Sequence, residues 1–154
     1  MLSALLLMLF VTGCLATSIL PMLLMGKLFL AASARRLGRA GWTQLSEVYG
    51  YEGPPPASRR LGRSHVAGFQ MTNIISAATD GEALYLMVRF FSVQFAPPLR
   101  IPWSAVRFGE LRRHPILTTF ELLVDGEAAM TVAFWAPDAK WIQDAHRRAL
   151  EKSA

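Results

Sequence analysis

Asp-Gly occurs twice, at residues 80–81 and 125–126, each time between runs in which apolar and polar residues alternate. A short Asp-Gly connection reverses an antiparallel pair, because these residues tolerate the backbone angles of a tight turn. The spacing predicts one hairpin from residues 65–77 and 83–91 and a second from residues 116–124 and 127–135. In the first, Leu84, Leu86, Val88 and Phe90 share one strand face, with Tyr85, Met87 and Arg89 on the other. In the second, Phe120, Leu122 and Val124 are expected to pack against Met130, Val132 and Phe134. Between the hairpins, Leu99, Ile101 and Trp103 alternate with Arg100 and Pro102, and Pro102 lacks the N–H of a central strand, so it marks an edge or a bend. After Pro137-Asp138 the period changes, and Trp141, Ile142, Ala145, Ala149 and Leu150 form one helical stripe.

The first part of the chain follows other rules. Residues 2–26, LSALLLMLFVTGCLATSILPMLLMG, carry no charge and raise the hydrophobic fraction to 53%. As a helix they would extend roughly 37 Å, against about 30 Å of bilayer hydrocarbon. A transmembrane helix with its flank is therefore expected over residues 1–34. VTGC, ending at Cys14, is similar to a bacterial lipobox and keeps a lipidated, outward-facing protein as an alternative. Against it stand the absence of a basic start and the apolar stretch after Cys14.

Net charge is +5, and residues 27–63 supply it: Lys27, Arg35, Arg36, Arg39, Arg59, Arg60 and Arg63 face only Glu47 and Glu52. Residues 64–154 balance nine basic against nine acidic groups, which argues against nucleic acid as a partner. Basic charge just after an apolar span predicts the N-terminus outside and the remainder in the cytoplasm, at the inner membrane. The seven cations are the candidate contacts to anionic lipid. ARRLGRAG at 34–41 and SRRLGRSH at 58–65 repeat one motif. Between them, Trp42, Leu45 and Tyr49 make a helical stripe; Trp42 and Tyr49 are read as interfacial aromatics, with packing on the domain as the competing reading. Gly53 and Pro54–Pro56 then form a stiff linker, so residues 35–63 constitute a basic juxtamembrane segment.

Strands followed by one terminal helix over residues 64–154, with LRIPWSAVRF in the middle, resemble a pleckstrin-homology-like domain of small bacterial membrane-anchored proteins. The resemblance implies an antiparallel barrel closed by the C-terminal helix; a two-layer α+β sheet with the helix on one face is the alternative. It also implies a module binding phospholipid or protein. The hairpin tips TDGEA and VDGEA are acidic, which favours protein over a phosphoinositide. Phe91, Phe95, Pro97 and Pro98 lie in an apolar loop and form the candidate partner patch. His65, His114 and His146 lack metal-ligand spacing, and no nucleophile motif is present. A non-enzymatic scaffold at the lipid bilayer, without metal or cofactor, is thus the expected function. A small hydrolase using His65 or His114 is the alternative.

Overall fold

The computed structural model describes residues 21, 24–66, 69–90, 93–109 and 117–153. The chain divides into two compact units, Met1–Ser33 and Ala34–Ala154. In the first unit residues 24–33 are helical, with Leu24, Met25, Leu28 and Phe29 exposed. Among the described residues no helix is long and apolar enough to cross a membrane. This overturns the expected transmembrane helix, and with it the inner-membrane, single-pass placement. Much of the segment that prompted the expectation, residues 1–20 with Cys14, lies outside the described residues.

The second unit begins well before the boundary expected at residue 64. A π-helical turn, Gly38–Trp42, leads into α1 (Thr43–Tyr49). Among the described residues ten strands follow: β1 (Arg59–Arg60), β2 (Arg63–Val66), β3 (Phe69–Thr72), β4 (Ile75–Thr79), β5 (Ala83–Phe90), β6 (Val93–Gln94), β7 (Leu99–Pro102), β8 (Val106–Phe108), β9 (Leu117–Val124) and β10 (Glu127–Trp135). Helix α2 (Ala136–Ser153) closes the chain.

All strand pairs are antiparallel and fall into two sheets. One runs β1-β4-β5-β6, with β7 also pairing β5; the other runs β3-β2-β10-β9-β8. Among the described residues the sheets do not close into a barrel, which corrects the expected pleckstrin-homology-like barrel to a mainly-β domain of two sheets and a C-terminal helix. The reason is local. Leu61-Gly62 separates β1 from β2, and a 3₁₀ turn, Trp103–Ala105, separates β7 from β8 directly after Pro102, which cannot donate to a ladder. At the first break the chain crosses between sheets with its backbone satisfied: Leu61 N–H donates to the Ile75 carbonyl and Asn73 N–H to the Gly62 carbonyl, both at 2.8 Å.

Both chain reversals form at Asp-Gly, but the strand expected over residues 65–77 is divided among β2, β3 and β4, and of these only β4 pairs with β5. Asp125 and Gly126 adopt φ of 52° and 83° between Val124 and its partner Glu127, the two-residue turn with both centres left-handed. At the other turn Asp80 Oδ1 accepts the N–H groups of Glu82 and Ala83 at 3.0 Å each. Phe120, Leu122, Met130, Val132 and Phe134 fill the space between the sheets at 3% exposure or less, and Phe120 and Phe134 meet at 5.3 Å between ring centres. Helix α2 buries Ala139, Ile142, Ala145 and Ala149, whereas Leu150, placed on the apolar stripe by periodicity, is exposed.

The helical turn before α1 belongs to this core. Trp42 and Leu45 are 2% and 0% exposed, Tyr49 packs against them, and the indole N–H of Trp42 donates to the Pro97 carbonyl at 3.0 Å. Gly41 makes the approach possible. Its φ is 101°, and a Cβ there would collide with the carbonyl oxygen of Ala129, the extra residue of a bulge in β10.

Candidate functional site

Sheet faces usually alternate between core and solvent, yet Tyr85 and Met87, on the outer face of β5, are 4% and 0% exposed. The chain after α1 covers them. Gly50 forms a bridge to Leu99, Tyr51 N–H donates to the Pro98 carbonyl at 3.0 Å, and the Tyr51 hydroxyl donates to the Pro54 carbonyl at 3.2 Å. The Tyr51 ring stands edge-on to Tyr85 at 5.2 Å. The proline-rich segment is therefore a fixed strap along the free edge of β7, and not a spacer in front of the domain.

Between this strap and the β5–β6 hairpin lies an open cleft of about 500 Å³. Tyr51, Pro54 and Pro55 form one wall, Pro98 contributes apolar surface above the buried Met87, and Arg89 and Gln94 bring polar ends. Glu52 on the rim balances Arg89 in formal charge. Arg89 has no ion-pair partner among the described residues. Val93, beside Gln94 on β6, is 53% exposed.

Two polar clusters brace the surroundings. Tyr85 donates its hydroxyl proton to Asp80 at 2.6 Å and accepts from Arg100 Nε at 2.9 Å, while Arg100 also reaches Glu82 at 2.9 Å and Asp80 at 3.8 Å. Burial opposes the charge on Asp80. The Tyr85 hydroxyl, the two backbone N–H groups and Arg100 outweigh it, holding the carboxyl below its ordinary pKa. Burial, then the Asp80 contact, raise the Tyr85 phenol above its own. In the second cluster Asp138, in the first turn of α2 and 4% exposed, accepts from Gly62 N–H at 2.9 Å and from Arg59 at 3.0 Å.

The lipid-contact candidates have separate environments. Lys27, Arg35, Arg36, Arg39, Arg60 and Arg63 are exposed, and Arg59 is ion-paired with Asp138. The two RRLGR copies are not a structural repeat, since residues 35–39 are helical whereas residues 59–63 span β1, the Leu61-Gly62 break and the start of β2. What they share is the leucine: Leu37 and Leu61 are 1% and 0% exposed, each an anchor flanked by solvated arginines. Trp42 and Tyr49, read from sequence as interfacial aromatics, lie in and against the core. Of the partner patch, Phe95 packs on the core, Pro97 accepts from Trp42, and Pro98 lines the cleft; Phe91 lies outside the described residues. His114 and Cys14 also lie outside them, and His65 is on β2 opposite Gln70. Among the described residues no cluster of His, Cys, Asp and Glu could hold a metal. The cleft residues Tyr51, Met87, Arg89 and Gln94 escaped sequence reasoning. The one signal was an aromatic residue placed shortly before Gly-Pro-Pro-Pro.

His146 of α2 packs against Trp103 and Phe108 at 5.3 and 4.8 Å between ring centres, and burial lowers its pKa from the ordinary 6.5. The indole N–H of Trp103 is buried with no hydrogen-bond partner in the described structure. A histidine with a depressed folded-state pKa binds fewer protons than in the unfolded chain just below pH 6.5, so stability must fall as pH drops through that window. Urea midpoints measured from about pH 7 to about pH 5 are expected to decline in the wild type and to flatten in His146→Phe. Asp80 acts in the same direction only in the acid range below the usual carboxylate pKa, which keeps the two effects apart.

No protein-family model and no curated protein matches this chain.

Proposed function

We propose that the domain is a protein-binding module and that the cleft along the proline-rich strap receives an extended segment of another protein. The observation that carries this reading is the lining. Tyr51, Pro54, Pro55 and Pro98 offer a proline- and aromatic-walled trough whose main wall is held before any ligand arrives, by the Tyr51 N–H on the Pro98 carbonyl and the Tyr51 hydroxyl on the Pro54 carbonyl. Such preformed troughs suit extended peptides, because little conformational freedom remains to be lost on binding. Its volume lies within the range of about 300–1,000 Å³ for ligand-sized clefts.

Arg89 gives the trough a direction. With no ion pair among the described residues, it favours a segment carrying a carboxylate next to apolar residues. One arginine beside Glu52 is a poor match for a polyphosphorylated headgroup, which favours protein over phosphoinositide. The titratable lining groups, Tyr51, Glu52 and Arg89, do not constitute a nucleophile with its base, which favours binding over catalysis.

Selection of short peptides from a random displayed library on the full-length chain tests the proposal. Enriched sequences should combine apolar or proline residues with an acidic residue. They should bind about tenfold more weakly to Arg89→Glu, where attraction becomes repulsion. Gln94→Trp, which places a bulky ring in the trough from an exposed position, should block them. The reading fails if nothing is enriched, or if the winners bind both variants as well as the wild type.

A further inference from the structure

We propose a second, separate binding site, for a small organic anion, in the groove between the β4–β5 turn and α2. The groove has a volume of about 350 Å³ and shares no lining residue with the proline-walled cleft. Its ligand class is a carboxylate or phosphate carried on a flat apolar body.

Helix periodicity builds one wall. Trp141, Ala145, Arg148, Ala149 and Lys152 fall at i, i+4, i+7, i+8 and i+11, a single helical face, and all five line the groove. The alanines leave the floor low, since no longer side chain rises from positions 145 and 149. Trp141 supplies an aromatic wall with the Arg59 guanidinium over its ring, 5.8 Å from the ring centre. Thr79, Asp80 and Gly81 of the hairpin turn form the opposite side.

The charge balance identifies the ligand. An acidic tip at Asp80 would repel an anion if its charge were free. That carboxylate, however, accepts from the Tyr85 hydroxyl and from the N–H groups of Glu82 and Ala83, with Arg100 3.8 Å away. Arg148 and Lys152 stand one turn apart on α2 and have no ion pair among the described residues, whereas the nearby Asp144 is already held by Arg147. Two adjacent cations at the end of a groove floored by alanines beside an indole provide charge-assisted hydrogen bonds for an anion and a stacking surface for the body that carries it.

The test is a titration of the ¹⁵N-labelled full-length chain with 2-naphthoate, adenosine monophosphate and inorganic phosphate, followed at the amides of Gly81, Ala145 and Ala149. Saturable shifts confined to these positions are expected for naphthoate, for adenosine monophosphate, or for both. The first would mark a carboxylate site and the second a phosphate site. The uncharged 2-naphthalenemethanol and adenosine should bind at least about tenfold more weakly, as should inorganic phosphate without an apolar body. Arg148→Glu with Lys152→Glu changes only exposed side chains and should abolish the shifts while leaving the chain folded, with the unfolding midpoint lowered only by the small cost of negative charge at the end of α2. The proposal is overturned if neither organic anion gives saturable shifts, if the uncharged analogues bind equally well, or if the doubly reversed variant still binds.

Discussion

Trp42→Ala is expected to destabilise the domain of residues 34–154 by about 3–5 kcal/mol, the cost of emptying a large aromatic site in a packed core. Trp42 is 2% exposed among strands of both sheets' core, and its indole N–H is bonded to the Pro97 carbonyl. Truncation removes the ring, leaves that carbonyl without its donor, and frees the turn that Gly41 fits against Ala129. Trp42→Phe separates the contributions. It keeps most of the apolar volume and loses the hydrogen bond, for about 1–2 kcal/mol. The measurement is the chemical-denaturation midpoint with its slope, compared with Val48→Ala, an exposed position on the same short helix. The result also decides between two roles of the segment before the strands. An aromatic used only at an interface would unfold with the wild-type midpoint after substitution, whereas an aromatic built into the core cannot be removed so cheaply.

What the sequence made legible is what local chemistry dictates. Asp-Gly between alternating runs located both hairpins, and the alternation itself named Phe120, Leu122, Met130, Val132 and Phe134 as core. Pro137-Asp138 located the start of the terminal helix to within one residue. The failures come from pairings between distant segments. Tyr85 and Met87 sit on the face of β5 that alternation assigns to solvent; they are buried because residues 50–55 fold back over them, a contact across more than thirty residues that no periodicity encodes. The barrel expectation failed at Leu61-Gly62 and Trp103–Ala105, where the ladder breaks over two or three residues while the hydrophobic pattern continues. In the RRLGR copies composition records the arginines, whereas the burial of Leu37 and Leu61 comes from the tertiary structure. The cleft was half visible: Pro98 was in the expected partner patch, but Tyr51 and Arg89 reach it only through the tertiary structure.

The second large effect is expected at Asp138, where the second RRLGR meets the terminal helix. Its carboxylate side chain is 6% exposed and satisfies two donors from a segment more than seventy residues earlier, Gly62 N–H and the Arg59 guanidinium. Asp138→Ala leaves that N–H and a cation without their acceptor and removes a negative charge from the first turn of α2, where the helix dipole favours it. The expected loss is about 2–4 kcal/mol. Asp138→Asn retains the shape and one oxygen acceptor and should cost roughly half as much. Arg59→Ala should cost only about 1 kcal/mol, because the Arg59 side chain is 49% exposed and water replaces most of what it loses. The ranking matters more than any single value. If Asp138 mainly serves Arg59, Asp138→Ala added to Arg59→Ala should cost nothing further. If it mainly fixes the Gly62 backbone at the crossing between the two sheets, most of its effect should survive in the Arg59→Ala background. The buried N–H bond and the solvated guanidinium predict the second outcome. Arg59 then guides a contact that the backbone of Gly62 secures.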